Sequence, residues 1–181
     1  LMAAASADVP AIQLVTGPML SGTVGDQRVG ACTDCRRFWG DYRGGRITDA
    51  EINDIEGKLV PTAGTCGVMG TASTMACMTE ALGMMLPGGA TIPAVAADRL
   101  RHAEMVGARA MALAADQIRP SQIMTPKSFE NALRVLLAIG GSTNGIIHLT
   151  AMAGRLGIEV DLPAFDALGG DTPVLVDLKP N

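Results

Sequence analysis

The stretch "PTAGTCGVMGTASTMACM", Pro61 to Met78, decides how this chain is read. It reads as loop to about Gly70 and as helix from about Thr71 to Met85. A structural cysteine normally sits inside an apolar run, yet Cys66 stands in a loop of Gly, Thr and Ala. Gly64 and Gly67 flank it and let backbone come close to something. Amides around Gly67 to Gly70 would point into a common site, and the helix start adds roughly half a positive charge there. Such a place lowers a thiol pKa. Three thiolate uses fit: a nucleophile, a redox thiol, or a metal or iron–sulfur ligand. The alternative is a small buried cysteine in a tight loop. Cys77, among Met75, Ala76 and Met78 inside the helix, reads as core.

Working outward, residues 1–8 read as the tail of a helix stopped by Pro10. "AIQLVTG" (11–17) reads as a short buried strand, and 18–30 as loop. A short helix follows over 33–43, ending at Gly44-Gly45. Thr48 to Glu51, T-D-A-E, is a capping box that opens a helix to about Lys58. "LPGGATIP" (86–93) breaks the Thr71 helix, and a long helix covers about 94–118. Its apolar stripe is read as Leu100, Ala103, Gly107, Ala110, Met111 and Ala114, with Asp98, Arg101, His102, Arg109 and Asp116 facing water. Thr125-Pro126 caps another helix. "GGSTN" (140–144) interrupts, an apolar helix runs to about Leu156, and a short one lies near 163–168. "PVLVDL" (173–178) reads as a final strand. Few short apolar strands among many helices predict an α/β fold, a helix-rich layer around a small parallel sheet. Cys66 is then expected near the C-terminal ends of the parallel strands.

The 181 residues suffice for one domain with a real core. The chain is 48% hydrophobic and only 3% aromatic, so Ala, Leu, Ile, Val and 11 Met must build that core. A net charge of -4, with no basic block, argues against a nucleic-acid surface. No apolar run reaches the roughly 18 residues of a membrane span, so no membrane partner is expected. The opening residues show no signal-peptide pattern. Four cysteines are too few for a disulfide scaffold, and a reduced, cytoplasmic setting is expected. Both ends look cut from something longer.

"CTDC" (32–35) is a C-x-x-C, a redox pair or half a zinc site. A second ligand pair is missing: His102 and His148 lie in unrelated helices. A thioredoxin-like role wants a preceding strand, which "GDQRVGA" does not clearly supply. Structural use of Cys32 and Cys35 ranks ahead of either. "GGSTNGIIHL" (140–149) is a second Gly-rich loop opening a helix. Ser142, Thr143 and Asn144 offer hydroxyl and amide groups beside free backbone amides, a cradle for a carboxylate, or else an ordinary helix cap. Glycines gathered at these two helix starts predict that Cys66 and the Gly140–Asn144 loop share one cavity. Thr65, Ser142, Thr143 and Asn144 are the candidate substrate-binding residues, and Lys179 a weaker one. His148 reads as a core histidine.

"LMAAASADVPAIQLVTGPM", "GTCGVMGTASTMACMTEALGMMLPGGATIPAV", "NALRVLLAIGGSTNGIIHL" and "PVLVDLKP", in this order, resemble the dihydroxy-acid dehydratase / 6-phosphogluconate dehydratase family. "VGACTDCRRFW" and the Cys66 segment look closest to its sugar-acid, arabinonate-type branch. The resemblance implies a hydro-lyase that takes water from a 2,3-dihydroxy acid to give a 2-keto-3-deoxy acid. It implies an iron–sulfur cluster (2Fe–2S or 4Fe–4S) with one iron open as Lewis acid, and Mg2+ at the substrate carboxylate. Cys66 matches one cluster-ligand cysteine, so the metal-binding residue here is Cys66. The family's Cys-Asp-Lys motif would fall just before Leu1, and its catalytic serine in a C-terminal barrel beyond Asn181. No catalytic residue is therefore expected within 1–181, a single domain forming part of a larger N-terminal domain. Cys32, Cys35 and Cys77 match no family ligand. Branched-chain dihydroxy-acid dehydration is the runner-up, and a non-catalytic or thiol-redox domain using Cys32 and Cys35 the alternative of another class. The whole protein is expected to be a homo-oligomer acting on a small dihydroxy or sugar acid; the fragment alone should be inactive.

Overall fold

The computed structural model describes residues 1–176 and Leu178. Helix α1 (Met2–Ala7) ends at Asp8, whose left-handed φ of 47° turns the chain outward. A hairpin of β1 (Gly22–Val24) and β2 (Gln27–Val29) follows, with Gly25 supplying the positive φ that a two-residue turn requires. Then come α2 (Ala31–Arg43), α3 (Asp49–Leu59), α4 (Thr71–Ala81), α5 (Ala97–Ala115), the single turn α6 (Pro120–Ile123), α7 (Pro126–Ala138), α8 (Asn144–Arg155) and α9 (Leu162–Asp171).

Among the described residues the buried apolar side chains form two main clusters and a small third one of Ala76, Met85 and Ala90. The larger gathers Met78, Leu82, Met124, Phe129, Leu136 and Leu149 from α4, α7, α8 and their connections. The smaller holds Val29, Phe38, Ile52, Ile55 and Leu59 between the hairpin, α2 and α3. Local chemistry marks the helix starts. Thr48 accepts from Glu51 N, and the Glu51 carboxylate accepts from Thr48 N, so the capping box is complete. Thr125 accepts from Ser128 N with Pro126 at the first helical position. The Glu80 carboxylate ties down the turn after α4, accepting from Gly88 N at 2.7 Å and Ala90 N at 2.9 Å.

The helix-rich α/β reading holds, with three corrections. The sheet among the described residues is antiparallel, pairing Gly22 with Val29 and Val24 with Gln27, inside the span read as loop. Its alternation was too short to register, and a turn set by one glycine made the pairing possible. Residues 11–16 form no strand. Gln13 N donates to Met84 O, and just beyond the span Thr65 N donates to Gly17 O, with one isolated parallel bridge between Pro18 and Thr65. Pro10 and Pro18, which lack donors, bracket a segment with no strand beside it. The described part of 173–178 pairs with no strand either: Leu175 N and Val176 N both reach Ala138 O at the end of α7, and Val174 and Leu175 are exposed. Among the described residues there is no parallel sheet, and so no parallel strand ends for Cys66 to sit at.

The third correction concerns α5. Its buried residues are Arg99, His102, Val106 and Leu113, whereas Leu100 and Met111 are 76% and 74% exposed. The inward face is rotated from the one read in the sequence. Arg99 turns in because its guanidinium donates to Ile92 O and packs under Gly17.

Candidate functional site

Cys66 is half-buried on the loop that leads into α4. The loop is pinned from one side by residues 17–19: Thr65 N donates to Gly17 O at 2.9 Å and Met19 N to Thr65 O at 3.0 Å. Gly64, at φ 134°, is needed here for the chain's own packing, since a Cβ would lie 2.3 Å from Met19 N. On the other side stands the start of α2. A Cβ on Gly30 would lie 2.1 Å from Val68 Cγ1, so glycine alone lets α2 seat against this loop.

That seating brings Cys32, two residues later, onto Cys66. The sulfurs are 3.4 Å apart, although 34 positions separate them in sequence. The contact with Cys66 holds the Cys32 thiol above its usual range, with burial adding to it. Cys35 packs instead against the smaller core. Around the Gly30–Val68 contact lies a cavity of about 200 Å3, lined also by Ser21, Arg28, Val29 and Gly67. Cys77 is set among core residues, and burial pushes its thiol up.

The first turn of α4 carries the second cluster. Thr65 Oγ1 and Ser73 Oγ are 2.9 Å apart. Thr71 Oγ1 contacts Ser142 Oγ at 3.0 Å and accepts from Asn144 Nδ2 at 3.0 Å. Ser142 N donates to Thr74 Oγ1 at 3.0 Å. Gly141 has no room for a Cβ beside Leu136 and Thr74, which accounts for that glycine. Thus α4 holds both loops, with Thr65 and Cys66 on one side of its start and Ser142 and Asn144 on the other. Thr143 is exposed and makes no side-chain cap bond. Lys179 lies outside the described residues. His148 is half-buried beside Met2, Ala72 and Met152. Sequence reasoning missed Cys32 as a neighbour of Cys66 and missed Thr71 and Thr74 as the bridge; the Thr-rich start "TAST" was the available signal.

All 181 residues match the model of the Dihydroxy-acid/6-phosphogluconate dehydratase N-terminal family. The chain belongs to this family. Among its relatives, a dihydroxy-acid dehydratase of Caldicellulosiruptor saccharolyticus is 46% identical over 99% of the chain and 32% of that protein. An L-arabinonate dehydratase of Rhizobium leguminosarum bv. trifolii is 47% identical over 100% of the chain and 31% of that protein. This dehydratase N-terminal chain therefore spans about a third of the length of the curated relatives it matches. The two identities are too close to separate the substrate branches.

Among the described residues, no three His, Cys, Asp or Glu side chains converge as a metal-binding group, and no helix is long and apolar enough to cross a membrane. Donor chemistry discriminates between the two groups the family resemblance implies. The two thiols at 3.4 Å are donors of the soft class, and no third metal-binding side chain joins them among the described residues. The hydroxyl and amide cluster lacks the carboxylates that a hard magnesium ion prefers, so these residues do not fit magnesium.

Proposed function

We propose that the protein carrying this chain is a hydro-lyase removing water from a 2,3-dihydroxy sugar acid to give a 2-keto-3-deoxy acid. Membership of the dehydratase family across residues 1–181 carries this reading. Cys66 would supply one thiolate to an iron–sulfur cluster, whose other ligands would come from outside this chain. Such a cluster would supply Lewis-acid chemistry to a departing hydroxyl, a poor leaving group unaided. The rest falls to the chain's own groups. Gly64 and the bonds to residues 17–19 hold the Cys66 loop still. Thr71, Ser142 and Asn144 present hydroxyl and amide donors to an anionic substrate at the start of α4; Thr65 and Thr143 complete this candidate set. Magnesium, if the parent uses it, is held elsewhere. The four free thiols support a reducing, cytoplasmic setting, and we take the whole protein to be a homo-oligomer.

Equally similar relatives, dihydroxy-acid dehydratases at 46% identity, support a second reading, branched-chain dihydroxy-acid dehydration. A redox role for Cys32 with Cys35 has less support, because Cys35 faces the smaller core. Assaying the full-length protein against aldonates and 2,3-dihydroxyisovalerate, with keto-acid detection, decides the matter. Turnover of an aldonate is expected, turnover of dihydroxyisovalerate alone moves the protein to the second reading, and turnover of neither overturns both. Cys66→Ser should abolish cluster absorbance and activity while leaving the circular dichroism spectrum unchanged.

A further inference from the structure

We propose that Cys32 and Cys66 are a peroxide-responsive thiol pair that closes into a disulfide. The sulfurs already touch at 3.4 Å, and a bond needs about 2.05 Å, so roughly 1.4 Å of closure suffices. Both sides are built to hold that approach. Gly30 packs on Val68 and donates its N–H to Asp34 Oδ2 at 2.9 Å, which fixes the start of α2. Cys66 is anchored through Thr65 to residues 17–19, and its carbonyl accepts from Met69 N at 3.1 Å. Cys32 is exposed and Cys66 half-buried, so a small oxidant reaches the pair. The sequence-adjacent partner is worse placed. Cys32 and Cys35 lie within one helix, where residues three apart keep their Cβ atoms about 5–6 Å apart, against roughly 3.5–4.5 Å in a disulfide.

The oxidant is a hydroperoxide. The Cys66 thiolate attacks one peroxide oxygen: an S–O bond forms, the O–O bond breaks, and the leaving oxygen takes up a proton as water or alcohol. The Cys32 sulfur then attacks the sulfenic sulfur: the S–S bond forms, the S–O bond breaks, and hydroxide leaves with the Cys32 proton as water. The two thiols lose two electrons and the peroxide gains them. This chemistry stands without the cluster. If Cys66 is a cluster ligand, as proposed above, the bond also withdraws that ligand until a thiol reductant restores it.

The test uses the full-length protein, reduced, stripped of metal by a chelator and exposed to hydrogen peroxide. Trypsin separates 29–36, with Cys32 and Cys35, from 59–99, with Cys66 and Cys77. The experiment is therefore run in a Cys35→Ser, Cys77→Ser background as well as the parent. The expected result is a non-reduced peptide joining Cys32 to Cys66, a loss of two titratable thiols, and recovery of both with dithiothreitol. Cys32→Ser should give no such peptide and should leave Cys66 as sulfinic acid instead. A dominant Cys32–Cys35 link, or separate oxidation of Cys32 and Cys66 without a link, overturns the proposal. Cluster reconstitution, followed by visible absorbance, is read separately. Equal uptake by linked and reduced protein counts against Cys66 as a ligand, while the mapped peptide decides the thiol pair.

Discussion

Thr74 is fully buried, and its hydroxyl accepts the N–H of Ser142 from a loop 68 positions away. Thr74→Val keeps the shape and removes the acceptor, leaving a buried donor without its partner. That costs about 1–3 kcal/mol, and urea unfolding should read the loss as a lower midpoint with an unchanged slope. A variant as stable as the parent would mean that Ser142 N finds another acceptor. The pairing also explains what a sequence conceals at this scale. Cys66 stood out because its neighbours were wrong for a core cysteine. Its contact with Cys32 did not, because 34 residues and the packing of Gly30 on Val68 intervene. A thiol's sequence neighbours describe its loop and leave the opposite wall unspecified.

Elements were legible where their signals are local. Thr48 and Glu51, and Thr125 with Pro126, announce helix starts through residues that bond each other within one turn. The sheet was misread, because residues 11–16 satisfy the apolar pattern of a strand yet Gln13 N meets only an isolated partner, Met84 O, and the pairing lies instead in the 22–29 hairpin. The face of α5 failed for a related reason. Leu100 and Met111 form a regular stripe, but the packing turns Arg99, His102 and Val106 inward. The local bonds carry a pH dependence. Bonding to Thr48 holds the Glu51 carboxyl below its ordinary 4.5, the Thr48 N–H contributing most. The Ser121 backbone N–H, then the Ser121 hydroxyl, hold Asp8 below its ordinary 3.8. Both folded-state values are depressed, so this stabilisation is complete above the ordinary values and is lost as pH falls through the lowered ones. Urea midpoints taken from about pH 6 to about pH 3 should fall in the parent and fall less steeply in an Asp8→Asn, Glu51→Gln variant. Equal slopes would remove these two groups from the acid response.

At the scale of the whole molecule, most of the buried apolar surface described lies in two clusters of unequal size. Twelve buried residues make the larger cluster and five make the smaller, around Phe38 and Ile52. At about 1.5–3 kcal/mol for each large apolar side chain buried, the smaller cluster has far less to lose on opening. Its helices are also rich in exposed charge, Arg36, Arg37 and Glu56 among it, which does little to hold them down. The hairpin, α2 and α3 should therefore open as a unit below global unfolding. Native-state hydrogen exchange checks this: amides of α2 and α3 are expected to exchange through a lower-energy opening than those of α4 and α7. The thiol pair sits on the seam between these units, Cys32 on α2 and Cys66 before α4, so opening the smaller unit parts the two sulfurs. A Cys32–Cys66 bond would close a span of 34 residues and raise the opening free energy of α2 and α3 by about 3–4 kcal/mol. Exchange in α2 and α3 that matches α4 and α7 before oxidation would show one cooperative unit and refute the division.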